Sequence, residues 1–262
     1  MNETTVPLRW RLGAGPLFAT AIHHAHGLRA ELRPWMALAE CERAREEDPY
    51  TDHWARLAPS WLLPGRSRFE VDLNRPPREA VYTHPDMAWG LRVWNRPLPA
   101  AAVRRSLALH AQFYARLGDL LARLLARHGK VVVLDLHAYN HRREGPWAPP
   151  ADPAQNPEIN VGTGSLDRVR WAPVVERFMA DLRDHGLDGR PLDVRENVKF
   201  RGRYLAQWVH ARFPGACVLA VEFKKIFMDE WTGIGDPPTI DQLGRALRAT
   251  FPGLVEALEA VP

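Results

Sequence analysis

The segment Val131–His141, VVVLDLHAYNH, constrains this chain more than any other stretch. Three β-branched residues run into Leu134-Asp135-Leu136 with almost no polar alternation, the pattern of a strand buried on both faces, as in a parallel sheet. His137 follows at the carboxyl end of that run, where open α/β sheets place their ligands. A neutral imidazole there suits a metal ion, with Asp135 or a nearby backbone carbonyl to orient it. A histidine that merely packs at a strand end is the plainer reading, and the rest of the chain decides between the two.

A second apolar run, Cys217–Phe223, repeats the buried-strand pattern, and shorter strands are predicted at 17–22, 69–73 and 159–162. Helical spacing appears at 28–42, 100–128, 171–185, 203–212 and 240–258, with a short helix or loop at 48–57. Gly129 stands where a glycine closes a helix. Five prolines between residues 74 and 100 predict an extended loop, and residues 138–157 predict another. Strands alternating with helices over 262 residues predict one α/β domain, residues 1–262, with a mainly parallel or mixed central sheet and helices on both faces.

Several function classes are disfavoured. No apolar stretch reaches the length of a membrane-spanning helix, and the N-terminus lacks a basic leader followed by an apolar core. Cys41 and Cys217 are far apart and form no CxxC, which predicts two free, mostly buried thiols and a cytoplasmic protein. The net charge of +4 is scattered, which suits a small anionic substrate better than nucleic acid, since no basic stripe with interleaved aromatics occurs.

The chemistry-bearing residues cluster at predicted strand ends. His23, His24 and His26 follow the first strand, and the carboxylates of Glu46-Glu47-Asp48 and Thr51-Asp52 come next. Catalytic zinc typically takes three protein ligands and keeps one position for water, so two imidazoles and one of these carboxylates would suffice; a solvated histidine cluster and a charged helix end are the bland alternatives. Arg68, Asn74 and Arg75 flank the predicted strand at 69–73, and arginine binds carboxylates through paired hydrogen bonds. Asp72 and Asn74 also suit a simple turn. Glu222 interrupts the apolar run Cys217–Phe223, so it must either pair with Lys224 or Lys225 or emerge at a site, where a partly buried Glu can act as general base. Lys199 and Arg201 lie in a donor-rich loop before a helix.

Seven short pieces, AIHHAHG, EEDPYTD, SRFEVDLNRP, DLHAYN, INVGTG, ENVKFRGRY and AVEFKKIFMDEW, together make the chain resemble the N-formylglutamate amidohydrolase family, whose fold is similar to that of the zinc carboxypeptidases and aspartoacylases. The resemblance implies one zinc ion at His23, Asp52 and His137, with Glu222 as general base. It also implies that Asn74 and Arg75 contact substrate, that Lys199 and Arg201 form the basic substrate-side loop, and that Arg68 or Arg75 assists the oxyanion. The implied substrate is a small anionic N-formyl or other N-acyl amino acid, such as N-formylglutamate. His24 and His26 stand where the family usually differs, and Glu47 and Asp48 lie close to Asp52, so any of these could join or replace a ligand. The loop after His137 also differs from the histidine-degradation enzymes. A carboxypeptidase-like peptidase and a non-catalytic small-anion binder are the alternatives.

Overall fold

The computed structural model describes residues 8–262. The elements, in chain order, are β1 (Arg9–Arg11), β2 (Leu17–Thr20), α1 (Glu40–Glu46), α2 (Thr51–Ala55), β3 (Ser60–Leu63), α3 (Ala100–His128), β4 (Val131–Tyr139), β5 (Ile159–Gly162), α4 (Ala172–His185), β6 (Val194–Glu196), α5 (Tyr204–Arg212), β7 (Ala216–Lys224) and α6 (Pro237–Glu259). All seven strands form one sheet in the order β1-β3-β2-β4-β7-β5-β6. The sheet is mixed: β1 runs antiparallel to β3 and β5 antiparallel to β7, while the other neighbours are parallel.

Alternate residues of the central strands feed two cores. Leu17, Val132, Leu134, Cys217 and Leu219 face α4 and α6. Phe18, Val131, Val133 and Val218 face α3 and α5. Helices therefore cover both faces, which is why β4 and β7 read as unbroken apolar runs. The long α3 packs Phe113, Leu117, Leu121 and Leu124 inward at helical spacing. Its end is set by Gly129, which adopts φ +72 and returns its N–H to the Leu125 carbonyl. Among the described residues, no helix is long and apolar enough to cross a membrane.

Three expectations change. Phe69–Leu73 is not a strand but a turn-rich segment. Its alternation is real, yet both sides are buried: Phe69, Val71 and Leu73 enter apolar clusters, while Glu70 and Asp72 are buried on polar partners. The predicted helix at 28–42 divides into a 3-10 turn at Ala30–Trp35, which carries Pro34, and the separate helix α1. Cys41 is exposed at the start of α1, and only Cys217 is a buried thiol.

Candidate metal centre and active site

Three side chains from different elements converge at the carboxyl ends of β2 and β4. His23 lies three residues past β2, His137 projects from within β4, which continues to Tyr139, and Asp48 lies between α1 and α2. One ligand atom from each falls within 4.8 Å of the others, and all three residues are buried. Asp48 Oδ2 stands 3.0 Å from His137 Nδ1 and 3.5 Å from His23 Nδ1. The backbone enforces this pairing, because the Asp48 amide donates to the His23 carbonyl at 3.0 Å. Thr51 Oγ1 then donates to the Asp48 carbonyl, and Tyr50 turns the chain at φ +70.

Each histidine has a carboxylate behind it. His23 Nε2 lies 2.7 Å from Asp72 Oδ1, which leaves Nδ1 for the shared centre. His137 Nε2 lies 3.1 Å from Asp135 Oδ2, although poorly aligned for a hydrogen bond. Such outer carboxylates fix the ring orientation and raise the basicity of a ligating imidazole. Burial works to lower the His137 pKa, yet Asp135 and Asp48 outweigh it and hold the group well above its ordinary 6.5. Burial would likewise raise Asp48, but hydrogen bonds from His137 and His23 keep it ionised far below its ordinary 3.8. The centre is thus built to surround a positive charge, and two imidazole nitrogens with one carboxylate form a donor set that fits zinc.

Glu222 sits on β7 in register with His137. It has no hydrogen-bond or ion-pair partner among the described residues. Burial pushes its pKa from 4.5 up to about 7, with the His137 charge opposing the shift. Neither neighbouring lysine pairs with it. Lys224 Nζ donates to the Asn156 carbonyl, and the buried Lys225 Nζ donates to the carbonyls of Arg45 and Glu47 at 2.5 and 2.8 Å. Glu222 therefore emerges into the cleft.

That cleft, about 300 Å³, is lined by the three converging side chains and Glu222, with Arg45, Glu46, Arg68, Asp72, Asn74, Trp89, Asn140, Arg143, Lys199, Arg201, Arg203 and Lys225 around them. Arg68 donates to Asp72 Oδ2 at 3.1 Å and to the Glu46 carbonyl at 3.2 Å, with its guanidinium 4.7 Å from the Trp89 ring. Asn74 Oδ1 accepts from the Leu205 amide at the start of α5. Lys199 Nζ donates to Asn156 Oδ1 at 2.7 Å. Arg201 and Arg203 are exposed and, among the described residues, their guanidinium groups have no partner.

Two expected residues lie elsewhere. Asp52 is on α2, with Oδ1 3.8 Å from His24 Nδ1 and Oδ2 3.5 Å from Arg56 Nε; the carboxylate facing His23 and His137 is Asp48. Arg75 does not line the cleft: it donates to the Met87 carbonyl at 2.6 Å and lies 3.4 Å from Asp72. His24 Nε2 donates to the Pro64 carbonyl at 2.8 Å, and His26 pairs with Glu47, so neither joins the centre. The sequence gives no site role to Asn140, Arg143 or Trp89, and it offers Glu46 only as one of several carboxylates and Lys225 only as a partner for Glu222. The lysine pair at the end of β7 was the one signal for Lys225, and the structure turns that residue to the backbone before Asp48 rather than to Glu222.

The chain matches the N-formylglutamate amidohydrolase family over residues 15–228. An N-formylglutamate amidohydrolase from Ralstonia eutropha JMP134 shares 19% identity and superposes with a TM-score of 0.74, over 97% of this chain and 98% of that one. Gene product Atu2144 from Agrobacterium tumefaciens, also 19% identical, superposes with a TM-score of 0.66 over 100% of this chain and 98% of that one. No curated protein matches. The fold is α/β with a mixed sheet, and the family match makes the chain an amidohydrolase. The chain belongs to the N-formylglutamate amidohydrolase family.

Proposed function

We propose that this protein is a zinc-dependent hydrolase that cleaves the amide of a small anionic N-formyl or other N-acyl amino acid, with residues 1–262 as one catalytic unit. The observation that carries the reading is the buried His23–Asp48–His137 set with Glu222, unpaired among the described residues, opposite it. One zinc ion would be held by His23, Asp48 and His137, with Asp48 rather than the Asp52 that the resemblance implies. Zinc in such a donor set lowers the pKa of water toward neutrality and polarises a carbonyl.

The chain's own groups supply the rest. Glu222, with a pKa of about 7, takes the proton from the attacking water and delivers it to the leaving amine nitrogen. Arg68, anchored on Asp72 and the Glu46 carbonyl, presents a fixed positive charge at the cleft wall for the developing oxyanion. Asn74 is fixed by the Leu205 amide and offers its Nδ2 to substrate. Arg201 and Arg203, whose guanidinium groups have no partner among the described residues, and Lys199 hold the substrate carboxylate or carboxylates.

The test combines metal content of protein purified without chelator with hydrolysis of a panel of N-formyl and N-acyl amino acids. Turnover with stoichiometric zinc supports the reading, and a fully active metal-free preparation refutes it. Glu222→Gln should lower kcat by roughly 10²–10⁴; full turnover in that variant removes Glu222 as base.

A further inference from the structure

Asp72 is a crowded acceptor. Its Oδ1 faces His23 Nε2 at 2.7 Å and accepts the Asn74 amide at 2.8 Å. Its Oδ2 accepts Arg68 Nη2 at 3.1 Å and the Tyr82 hydroxyl, and Arg75 Nε lies 3.4 Å away. One carboxylate thus serves a candidate metal ligand and two cleft residues at once. The two arginines stand on the Oδ2 side and pull the group away from His23. A carboxylate free to turn would meet a guanidinium with both oxygens, the preferred arrangement for that pair, and would release the imidazole.

Tyr82 opposes that rotation. Its side chain is buried, with the ring against Phe69 at 5.9 Å and the Arg75 guanidinium at 4.9 Å. Its carbonyl accepts Trp94 Nε1 at 2.8 Å, and the Asp72 amide bonds to Ala80 at 2.7 Å, closing the loop between the two residues. The hydroxyl is therefore delivered to Oδ2 by a ring that cannot swing out. Arg68 Nε lies 3.4 Å from the same hydroxyl, so Tyr82 touches both ends of the system.

We propose that Tyr82 is a positioning residue whose hydroxyl locks the Asp72 carboxylate so that one group holds His23 at the metal centre and Arg68 at the substrate wall. The proposal rests on the metal-centre reading above. It assigns a shared origin to metal retention and transition-state contact, two properties that would otherwise be independent.

The experiment compares wild type, Tyr82→Phe, Asp72→Asn and the double variant. Zinc affinity of the apo-protein is read by competition with a chromophoric chelator, and kcat and KM are read separately with an N-formyl amino acid. Loss of an outer partner of a ligating histidine typically weakens metal binding by ~10–100-fold. Tyr82→Phe, which acts one bond further out, should weaken zinc by roughly 3–10-fold by the same reasoning and lower kcat more than it raises KM. Because Tyr82 reaches His23 only through Asp72, the zinc affinity of the double variant should match that of Asp72→Asn alone. Wild-type affinity and kcat in Tyr82→Phe, or fully additive losses of affinity in the double variant, overturn the proposal. If the wild-type protein takes up no zinc, the functional reading falls and this one with it; if it binds zinc and Tyr82→Phe binds it equally well, only this one falls. Should Tyr82→Phe not fold, fluorotyrosine-labelled protein gives the same readout through its altered phenol, and unchanged zinc affinity there overturns the assignment.

Discussion

Lys225 offers the sharpest test of how the centre is held. Its buried ammonium bridges the carbonyls of Arg45 and Glu47, the residues on either side of Glu46 and just before Asp48. Lys225→Met keeps the length and removes the charge. Hydrogen bonds to a charged group contribute ~1.5–3 kcal/mol each, so the two lost bonds cost about 3–6 kcal/mol gross. The charge itself is costly to bury: burial pulls the lysine from 10.5 down to about 8. At 1.36 kcal/mol per pKa unit that is ~3 kcal/mol, which the variant recovers at neutral pH. The net loss should be about 0–3 kcal/mol, a fall in Tm of up to roughly 10 °C. The recovered part shrinks as pH rises from about 8 toward 10.5, because the folded wild type has by then shed the charge. Function should suffer more than stability, since the segment carrying Asp48 loses its clamp: zinc affinity should fall by at least ~10-fold, by analogy with other outer supports of metal ligands. Chemical denaturation at two pH values and chelator competition read the two effects. Wild-type zinc affinity in Lys225→Met refutes the clamp, and a stability loss above about 5 kcal/mol refutes the offset between burial and hydrogen bonding.

Further outcomes follow from the same geometry. Asp48→Asn should abolish tight zinc binding, whereas Asp52→Asn, at a half-buried position outside the centre, should leave it within about twofold and change stability by less than ~0.5 kcal/mol, as for most peripheral substitutions. The pH profile of kcat/KM should show an acid limb at or below pH 7, because Glu222 must be ionised to accept a proton and a bound dication can only lower its pKa of about 7; a limb persisting unchanged in Glu222→Gln contradicts the assignment. Asp48 and Asp72 are both held below the ordinary 3.8, so their stabilisation is present above that value and drains away as pH falls below it, which acid titration of the fold should show. Gly162→Ala would place a Cβ 2.6 Å from the Gly202 amide, displacing the Arg201–Arg203 segment; KM should rise several-fold while zinc affinity is unchanged.

What could be read in the sequence was whatever one strong periodicity determines. Strands β4 and β7 and helix α3 were legible because apolar residues alone specify them. Strands β1, β3 and β6 were not, since RWR, SWLL and VRE are too short to show a period and owe their pairing to neighbours distant in sequence. His23, His137 and Glu222 were found because each terminates or interrupts an apolar run. The choice between Asp48 and Asp52 depends on the left-handed turn at Tyr50 and on a backbone bond to His23, neither of which leaves a compositional trace. Arg75 sits beside Asn74 in sequence, yet the turn sends its guanidinium to Met87 rather than to the cleft.

The reversed strand β5 has a consequence for how this fold can accommodate change. Because β5 runs against β7, its first residue lies at the same edge of the sheet as the last residue of β4. Residues 140–158 therefore leave the cleft and return to it without crossing the body of the protein. Several of their fastenings, Glu230 receiving the His141 and Arg142 amides and Arg195 reaching the Pro153 and Ala154 carbonyls, come from outside the cleft, while Glu46 and Lys199 hold Asn140 and Asn156 from within it. Such a segment can lengthen, shorten or change its charges over generations while the sheet and its histidines stay as they are. New substrates would be acquired by exchanging a roof, with the hearth beneath left untouched.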